Sequence, residues 1–368
     1  MTAIEKKISR LLSLDVFRGL TIALMILINS PGNPTAYAWL EHSEWNGCTL
    51  ADVVFPFFIF IVGVSLVFSL TKAKASGLTS GQLLPKIIRR SFIIFLIGLL
   101  LNAFPNHFDL VTLRVYGVLQ RIAICYFVCA MLFLTTRIST QIVLLALLLI
   151  GYWLLMTLVP VPGYGLDDLT PQGNLAAYVD RMIFSANHLY GKFFDPEGLL
   201  STLPTIATGL IGNLTGFWLL TPRKNSEKFK GMIVAGILSL VVGWFWGLEF
   251  PINKALWTSS YVLWTGGLAL LVLGLCYWLI EIKGWKKWSK PLEIFGVNAL
   301  AVYFLHILLL KIQLMITTTS GNLRLFITDH LFGWASMQNA SLFYALTYTL
   351  FWLFILTILY RKKIFIKI

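Results

Sequence analysis

Residues 50–70 read LADVVFPFFIFIVGVSLVFSL, an apolar run whose only charge is Asp52 near its start. As a helix rising 1.5 Å per residue, a run of this length crosses a hydrocarbon core about 30 Å thick, so it reads as a membrane span. Comparable runs recur at about 14–30, 91–104, 115–135, 140–159, 201–220, 231–248, 258–280, 292–316 and 339–360. With 368 residues, 58% hydrophobic, 12% charged and a mean hydropathy of +0.80, the composition belongs to the membrane class. The expected fold is an all-α polytopic bundle of about ten transmembrane helices.

The basic residues test that count independently. With a cytoplasmic N-terminus, 21 of the 29 Lys and Arg fall in the termini and connections on the cytoplasmic side, for example Lys72, Lys74, Lys86, Arg89 and Arg90. Five fall in the opposite loops: Arg114, Arg181, Lys192, Lys254 and Arg324. This asymmetry is the one that sets orientation, and it places both termini in the cytoplasm. The net charge of +13 therefore reads as topology, with the lipid bilayer and its anionic head groups as partner and no nucleic acid. The N-terminal run is interrupted by Asp15 and Arg18 and lacks an A-x-A-like site, so it reads as a retained first span.

No run of soluble character is long enough for a second domain, so residues 1–368 read as one transmembrane domain. Its longest loop, about 160–200, holds PVPGYGLDDLTPQGN and then DRMIFSANHLYGKFFDPEG. Its glycines and prolines predict a turn-rich extracytoplasmic cap. The chain has no phosphate-binding glycine motif and no zinc-type His/Glu spacing, and its four cysteines form no C-x-x-C pair. No metal site is expected.

Ionisable groups inside spans cost about 2.5–3.5 kcal/mol each, which makes them functional candidates by default. Asp15 and Arg18 are spaced to pair on one helical face; alternatively Arg18 meets an anionic ligand from the cytosol. Arg121, with Gln120 beside it, lies too deep to snorkel and needs a partner, either backbone carbonyls or a ligand. Among the histidines, His107 and His330 read as loop residues and His306 as a core residue, while His188 shares the cap with Asp195 and Glu197.

His42 has the densest company. The stretch EHSEWNGCTLAD, residues 41–52, sets Glu44, Trp45 and Asn46 beside it, with Asn29 ending the preceding span and Asp52 opening the next. An imidazole there is available as a base or nucleophile at neutral pH. Asn29 offers an amide donor to a developing oxyanion. Asp52 either orients the imidazole or caps the following helix.

Together the runs SLDVFRGLTIALMILINSPG, HSEWNGCTLADVVFPFFIFIVGVSLVFS, GVLQRIAICYF, DPEGLLSTLPTIATGLIG, PINKALWTSSYV and LYRKKIFIKI resemble the heparan-α-glucosaminide N-acetyltransferase family. The resemblance covers nearly the whole chain in the same order. It implies transmembrane acetylation, in which acetyl-CoA from the cytosol donates its acetyl group to the amine of a glucosamine-type sugar on the far side. In that family the H-x-x-W-N-G histidine is the active one, which maps to His42, and the family's asparagine and arginine map to Asn29 and Arg121. Acetyl-CoA is then the co-substrate, expected at Arg18, Arg121 and Gln120. Glu44, Trp45 and Asn46 with His188, Asp195 and Glu197 are the expected acceptor contacts. The lysosomal enzyme carries an extra luminal domain that this chain is expected to lack, which suggests a compact bacterial relative in the cytoplasmic (inner) membrane. A homodimer is one assembly open to such a bundle.

Two mechanisms stay open, an acetyl-imidazole intermediate at His42 and general base catalysis by it. The competing functions are an amino-sugar transporter, which ordinarily needs a carboxylate near the midplane, and an envelope O-acyltransferase using the same bundle.

Overall fold

The computed structural model describes residues 10–105 and 108–366. Its helices in chain order are α1 (Leu12–Asn29), α2 (Leu50–Ala75), α3 (Ser80–Ala103), α4 (Val118–Thr135), α5 (Ile138–Leu158), α6 (Leu175–Ile183) and α7 (Thr202–Leu220). There follow α8 (Asn225–Trp246), α9 (Ser259–Tyr277), α10 (Lys290–Val297), α11 (Ala299–Met315), α12 (Leu323–Phe332) and α13 (Met337–Arg361). A two-stranded hairpin, β1 (Thr317–Thr318) with β2 (Gly321–Asn322), links α11 to α12. The chain is an all-α polytopic protein.

Among the described residues eight helices are long and apolar enough to cross a membrane, and a bent pair raises the number to nine. Two of the ten expected runs differ in form. The run at 91–104 is the C-terminal half of α3, whose start is drawn upstream to Ser80 by a capping box in which Thr79 and Gln82 satisfy each other's backbone N–H groups. The cations Lys86, Arg89 and Arg90 therefore lie within that helix. The run at 292–316 is broken at Asn298, where α10 and α11 bend by 71°. The Asn298 side chain serves the C-terminal segment there, accepting from Ile366 N at 2.9 Å and donating to Ile364 O at 3.2 Å.

The helices fall into two compact units. One comprises Phe55–Trp278 with Glu44–Gly47. In it α2 and α7 meet backbone to backbone: a Cβ on Gly212 would sit 2.2 Å from the Phe60 carbonyl oxygen, and one on Gly63 2.2 Å from that of Gly209. Small residues permit this approach in an apolar medium, where packing rather than water exclusion holds helices together. The segment 160–200 also belongs to this unit. Turns and bends make up about half of it, and among them Asn174 caps α6 by accepting from Ala177 N at 2.7 Å, with Leu175, Ala176 and Ala177 buried. Val161, Leu175 and Ala176 pack with Tyr152, Met156, Phe250 and Leu256, seating the segment on the C-terminal end of α5.

The second unit comprises Leu12–Ser43, Cys48–Val54 and the chain from Leu279 on. It is built on α1 and α10, which cross through Gly19 and Gly296: a Cβ on Gly296 would lie 2.1 Å from Asp15 O. Beyond α1 the chain is tied to α13 and α12, with Gly32 N donating to Ser341 Oγ (3.0 Å), Asn33 Nδ2 to Met337 O (2.8 Å) and Thr328 Oγ1 to Gly32 O (3.1 Å).

Candidate active site

In the second unit, the first turn of α2 organises the loop that precedes it. Asp52 is fully buried, and its Oδ2 accepts from Ser43 N (3.1 Å), Ser43 Oγ (3.0 Å) and Thr49 N (3.0 Å), with Thr49 Oγ1 at 3.1 Å. Thr49 N is the kind of orphan donor that a helix start leaves unsatisfied, and a carboxylate in the first turn also complements the helix dipole. The Thr49 hydroxyl lies 2.6 Å from Glu41 O, which closes the loop on itself. The remaining oxygen, Oδ1, faces His42 Nδ1 at 2.8 Å. The two roles open to Asp52 thus coexist: one oxygen anchors the helix start and the loop, and the other orients the imidazole.

The chemistry of that contact is directional. A carboxylate accepts, so Nδ1 carries the proton and the lone pair of the neutral ring lies on Nε2. The His42 side chain is 51% exposed, whereas that of Asp52 is 0% exposed. Such a ring is held from behind and reachable from in front, as a general base or an acyl-accepting nucleophile requires. Asn29, the last residue of α1, is exposed in the same unit. Arg18, also in this unit, donates from Nη1 to Asp15 Oδ1 (3.0 Å) and to Gly296 O (3.3 Å), so the ion pair expected on one helical face is formed.

Glu44–Gly47 belongs to the first unit, where it is held by side chains and backbone. Trp45 Nε1 donates to Leu169 O at 2.9 Å, Asn253 Nδ2 to Asn46 Oδ1 at 3.0 Å, and Gly47 N to Ile252 O at 2.7 Å. Trp45 also meets Phe194 edge to face, with ring centroids 5.2 Å apart. Glu44 is exposed.

The same unit holds a buried ionic network that runs through the DPEG motif. Arg114 donates to both oxygens of Asp195, from Nε at 2.8 Å and Nη2 at 2.5 Å, and Nη2 also bonds Glu197. Asp195 further accepts from Tyr190 N (3.1 Å) and Glu197 N (2.9 Å). Burial disfavours the charge on Arg114, but the hydrogen bonds and negative charges of Asp195 and Glu197 outweigh it and lift its pKa above the ordinary range. Asp195 and Glu197, expected as acceptor contacts, are therefore engaged as the counter-charge of Arg114. Asp180 in α6 is buried beside them and accepts from Leu199 N at 2.9 Å. Burial first, and then the Asp195 charge, push its carboxyl up to about 7 against the lowering effect of the Leu199 N–H.

Arg121, in the first turn of α4, is buried against the Trp257 ring at 5.3 Å and donates from Nη2 to Gly198 O (2.9 Å) and to Ser201 Oγ. One of its two terminal nitrogens thus finds a carbonyl partner at the end of the DPEG motif. Its Nε and Nη1, and Nε2 of Gln120, are buried without a hydrogen-bond partner among the described residues. His188 donates from Nδ1 to Leu113 O at 2.7 Å, which ties the segment 160–200 to the loop before α4. His306 is buried and donates from Nδ1 to Val302 O. His330 lies in the last turn of α12, its ring against Phe326, rather than in a loop, and His107 falls outside the described residues. Among the described residues no cluster of His, Cys, Asp or Glu could hold a metal ion.

Ser43, Thr49, Arg114 and Asp180 were not singled out as site residues by their local sequence. A signal exists for Thr49, because T-L-A-D at 49–52 has the capping-box spacing. Arg114 and Asp195 are 81 positions apart and carry no local signal of their pairing.

A family model described as heparan-alpha-glucosaminide N-acetyltransferase, catalytic, matches residues 10–244 of the chain, which include His42, Asp52, Arg121 and Asp195. The chain is 32% identical over 421 aligned positions to heparan-alpha-glucosaminide N-acetyltransferase of Homo sapiens and 31% identical to that of Mus musculus. Each alignment covers 98% of this chain, with 60% of the human and 61% of the mouse protein. The chain thus spans about 60% of the length of these relatives.

Proposed function

Because the chain belongs to the heparan-α-glucosaminide N-acetyltransferase family, we propose that it is a transmembrane acetyltransferase that moves the acetyl group of cytosolic acetyl-CoA to the amine of a glucosamine-type sugar on the other side of the membrane. The observation that carries this reading is the His42–Asp52 pair, a half-exposed imidazole whose tautomer is set by a buried carboxylate.

The transfer forms one C–N bond and breaks one C–S bond. The free amine attacks the thioester carbon, the carbonyl oxygen gains negative charge, and CoA leaves as a thiolate that takes up a proton. His42 Nε2 accepts the proton that the amine sheds and returns it to the departing sulfur, so the ring ends neutral. Asp52 holds the ring and stabilises the imidazolium in between. The Asn29 amide supplies a donor to the developing oxyanion. In the covalent variant the same Nε2 attacks first, and the amine then attacks the acetyl-imidazole. The direct route is the simpler one for a ring already held by its carboxylate.

Arg121 and Gln120 are proposed as CoA contacts, and Glu44, Trp45, Asn46 and His188 as acceptor contacts. The unsatisfied donors on Gln120 and Arg121 support the former assignment. A proton-coupled carrier is the weaker reading, since Asp15 and Asp52 lie in first helical turns rather than mid-span. The membrane is assigned as a bacterial cytoplasmic one. The test is to seal the purified protein in vesicles, supply acetyl-CoA on one side and a panel of amino and hydroxyl sugars on the other, and identify products by mass. Acetylated amine is the expected product. Transport of unmodified sugar, or an ester product only, would contradict the proposal.

A further inference from the structure

The second unit carries a surface that the acetyl-transfer chemistry does not use. Between the end of the span Ser259–Ile282 and the start of α10 the chain reads KGWKKWSK, residues 283–290. Trp285 and Trp288 are 59% and 45% exposed, and Lys286 and Lys287 are exposed between them. The end of α13 is brought to the same place, because Lys290 Nζ donates to Tyr360 OH at 2.6 Å and lies 4.3 Å from its ring centroid. Arg361, Lys362 and Lys363, which follow directly, are exposed as well.

The acidic groups nearby are already engaged. Glu293 accepts from Lys290 Nζ (3.1 Å) and Tyr360 OH (3.0 Å), and Glu281 from Ser13 N (3.2 Å). Against these two carboxylates stand Lys286, Lys287, Lys290, Arg361, Lys362 and Lys363, so the patch is cationic on balance, and it sits at the ends of three candidate spans, one of them the bent pair. The ends of membrane spans are where exposed tryptophans anchor and clustered lysines meet phosphate.

We propose that this end of the second unit, with Lys286, Lys287 and Arg361–Lys363 around Trp285 and Trp288, is a binding surface for anionic phospholipid head groups. The lysines contact the lipid phosphate and the indoles seat against the glycerol and upper acyl region. Orientation by positive charge alone would not need the two exposed indoles between the lysines. Spreading the contact over several cations makes it salt-sensitive and graded rather than dependent on one residue.

The test uses the full chain in neutral detergent, with thermal midpoint read against added phosphatidylglycerol or phosphatidylcholine. Phosphatidylglycerol is expected to raise the midpoint, phosphatidylcholine to leave it, and high salt to diminish the difference. K286Q/K287Q should weaken the phosphatidylglycerol half-saturation by about fivefold per charge removed. As these side chains are exposed, the variant should keep the lipid-free midpoint, and R361Q/K362Q provides a second variant on the other strand of the patch. An equal response to the two lipids, or an unchanged half-saturation in both variants, would overturn the proposal. So would a midpoint shift produced instead by adenosine 3′,5′-bisphosphate in competition with the lipid, which would make the surface a nucleotide site.

Discussion

His42 Nδ1 stands 2.8 Å from Asp52 Oδ1, and the carboxylate that holds the ring is itself held by Ser43 and Thr49. Exchanging Asp52 for Asn keeps the shape but offers an amide that can present either N–H or C=O to the ring. Loss of the enforced tautomer and of the charge opposite the imidazolium is expected to lower the acetyl-transfer rate by about 10²–10⁴-fold. Steady-state kinetics with Asp52→Asn should place the loss in kcat rather than KM. Thr49→Ala removes the hydroxyl that bonds Glu41 O and should cost about 1 kcal/mol of stability by loosening the loop around His42.

Arg114 is the common partner of two carboxylates separated from it by more than 80 residues of chain. Arg114→Met leaves Asp195 and Glu197 without their counter-charge, which is expected to destabilise the protein by about 3–5 kcal/mol. Arg114→Lys restores the charge but not the two-pronged geometry and should recover only part of it. Thermal midpoints of the purified variants are the measurement.

Asp180 gives a pH dependence of definite sign. Its carboxyl titrates near 7 in the folded chain and near 3.8 when unfolded, so the folded state holds the proton more tightly. Its stabilising contribution is complete below about pH 4 and is lost as the pH rises through about 7. Asp180→Asn retains an acceptor for Leu199 N without a charge. The thermal midpoint of the native chain should fall more between pH 5 and pH 8 than that of the variant.

Gly212 faces the Phe60 carbonyl of α2 at a distance that leaves no room for a methyl group. Gly212→Ala is expected to force α2 and α7 apart and to cost about 1–3 kcal/mol. Gly151, which meets nothing within 4 Å of a built Cβ, is the control, and Gly151→Ala should be neutral or slightly stabilising.

Much of the helical plan could be read from hydropathy because lipid demands apolar runs of fixed length, and the run at 50–70 starts α2 at its first residue, the helix continuing beyond it to Ala75. The departures have local causes that hydropathy does not weigh. Thr79 and Gln82 start α3 early through paired caps, and Asn298 breaks a span by lending its amide to the C-terminal segment. At the site, His42 and Asp52 were legible as polar residues crowded at a helix start. The pairing of Arg114 with Asp195 and Glu197 was not, since it depends on the path of the chain between them. Asp180 was hidden for a similar reason: burial beside Asp195 makes it distinctive, and burial is a property of the fold.

The most direct measurement compares acetyl transfer by the native chain and by His42→Ala under identical conditions, with thermal midpoints taken on the same preparations. An imidazole that moves the amine proton or carries the acetyl group requires the variant to lose about 10²-fold or more of the rate while keeping its midpoint, since the side chain is half exposed. A folded His42→Ala protein that transfers acetyl groups at the native rate would contradict it.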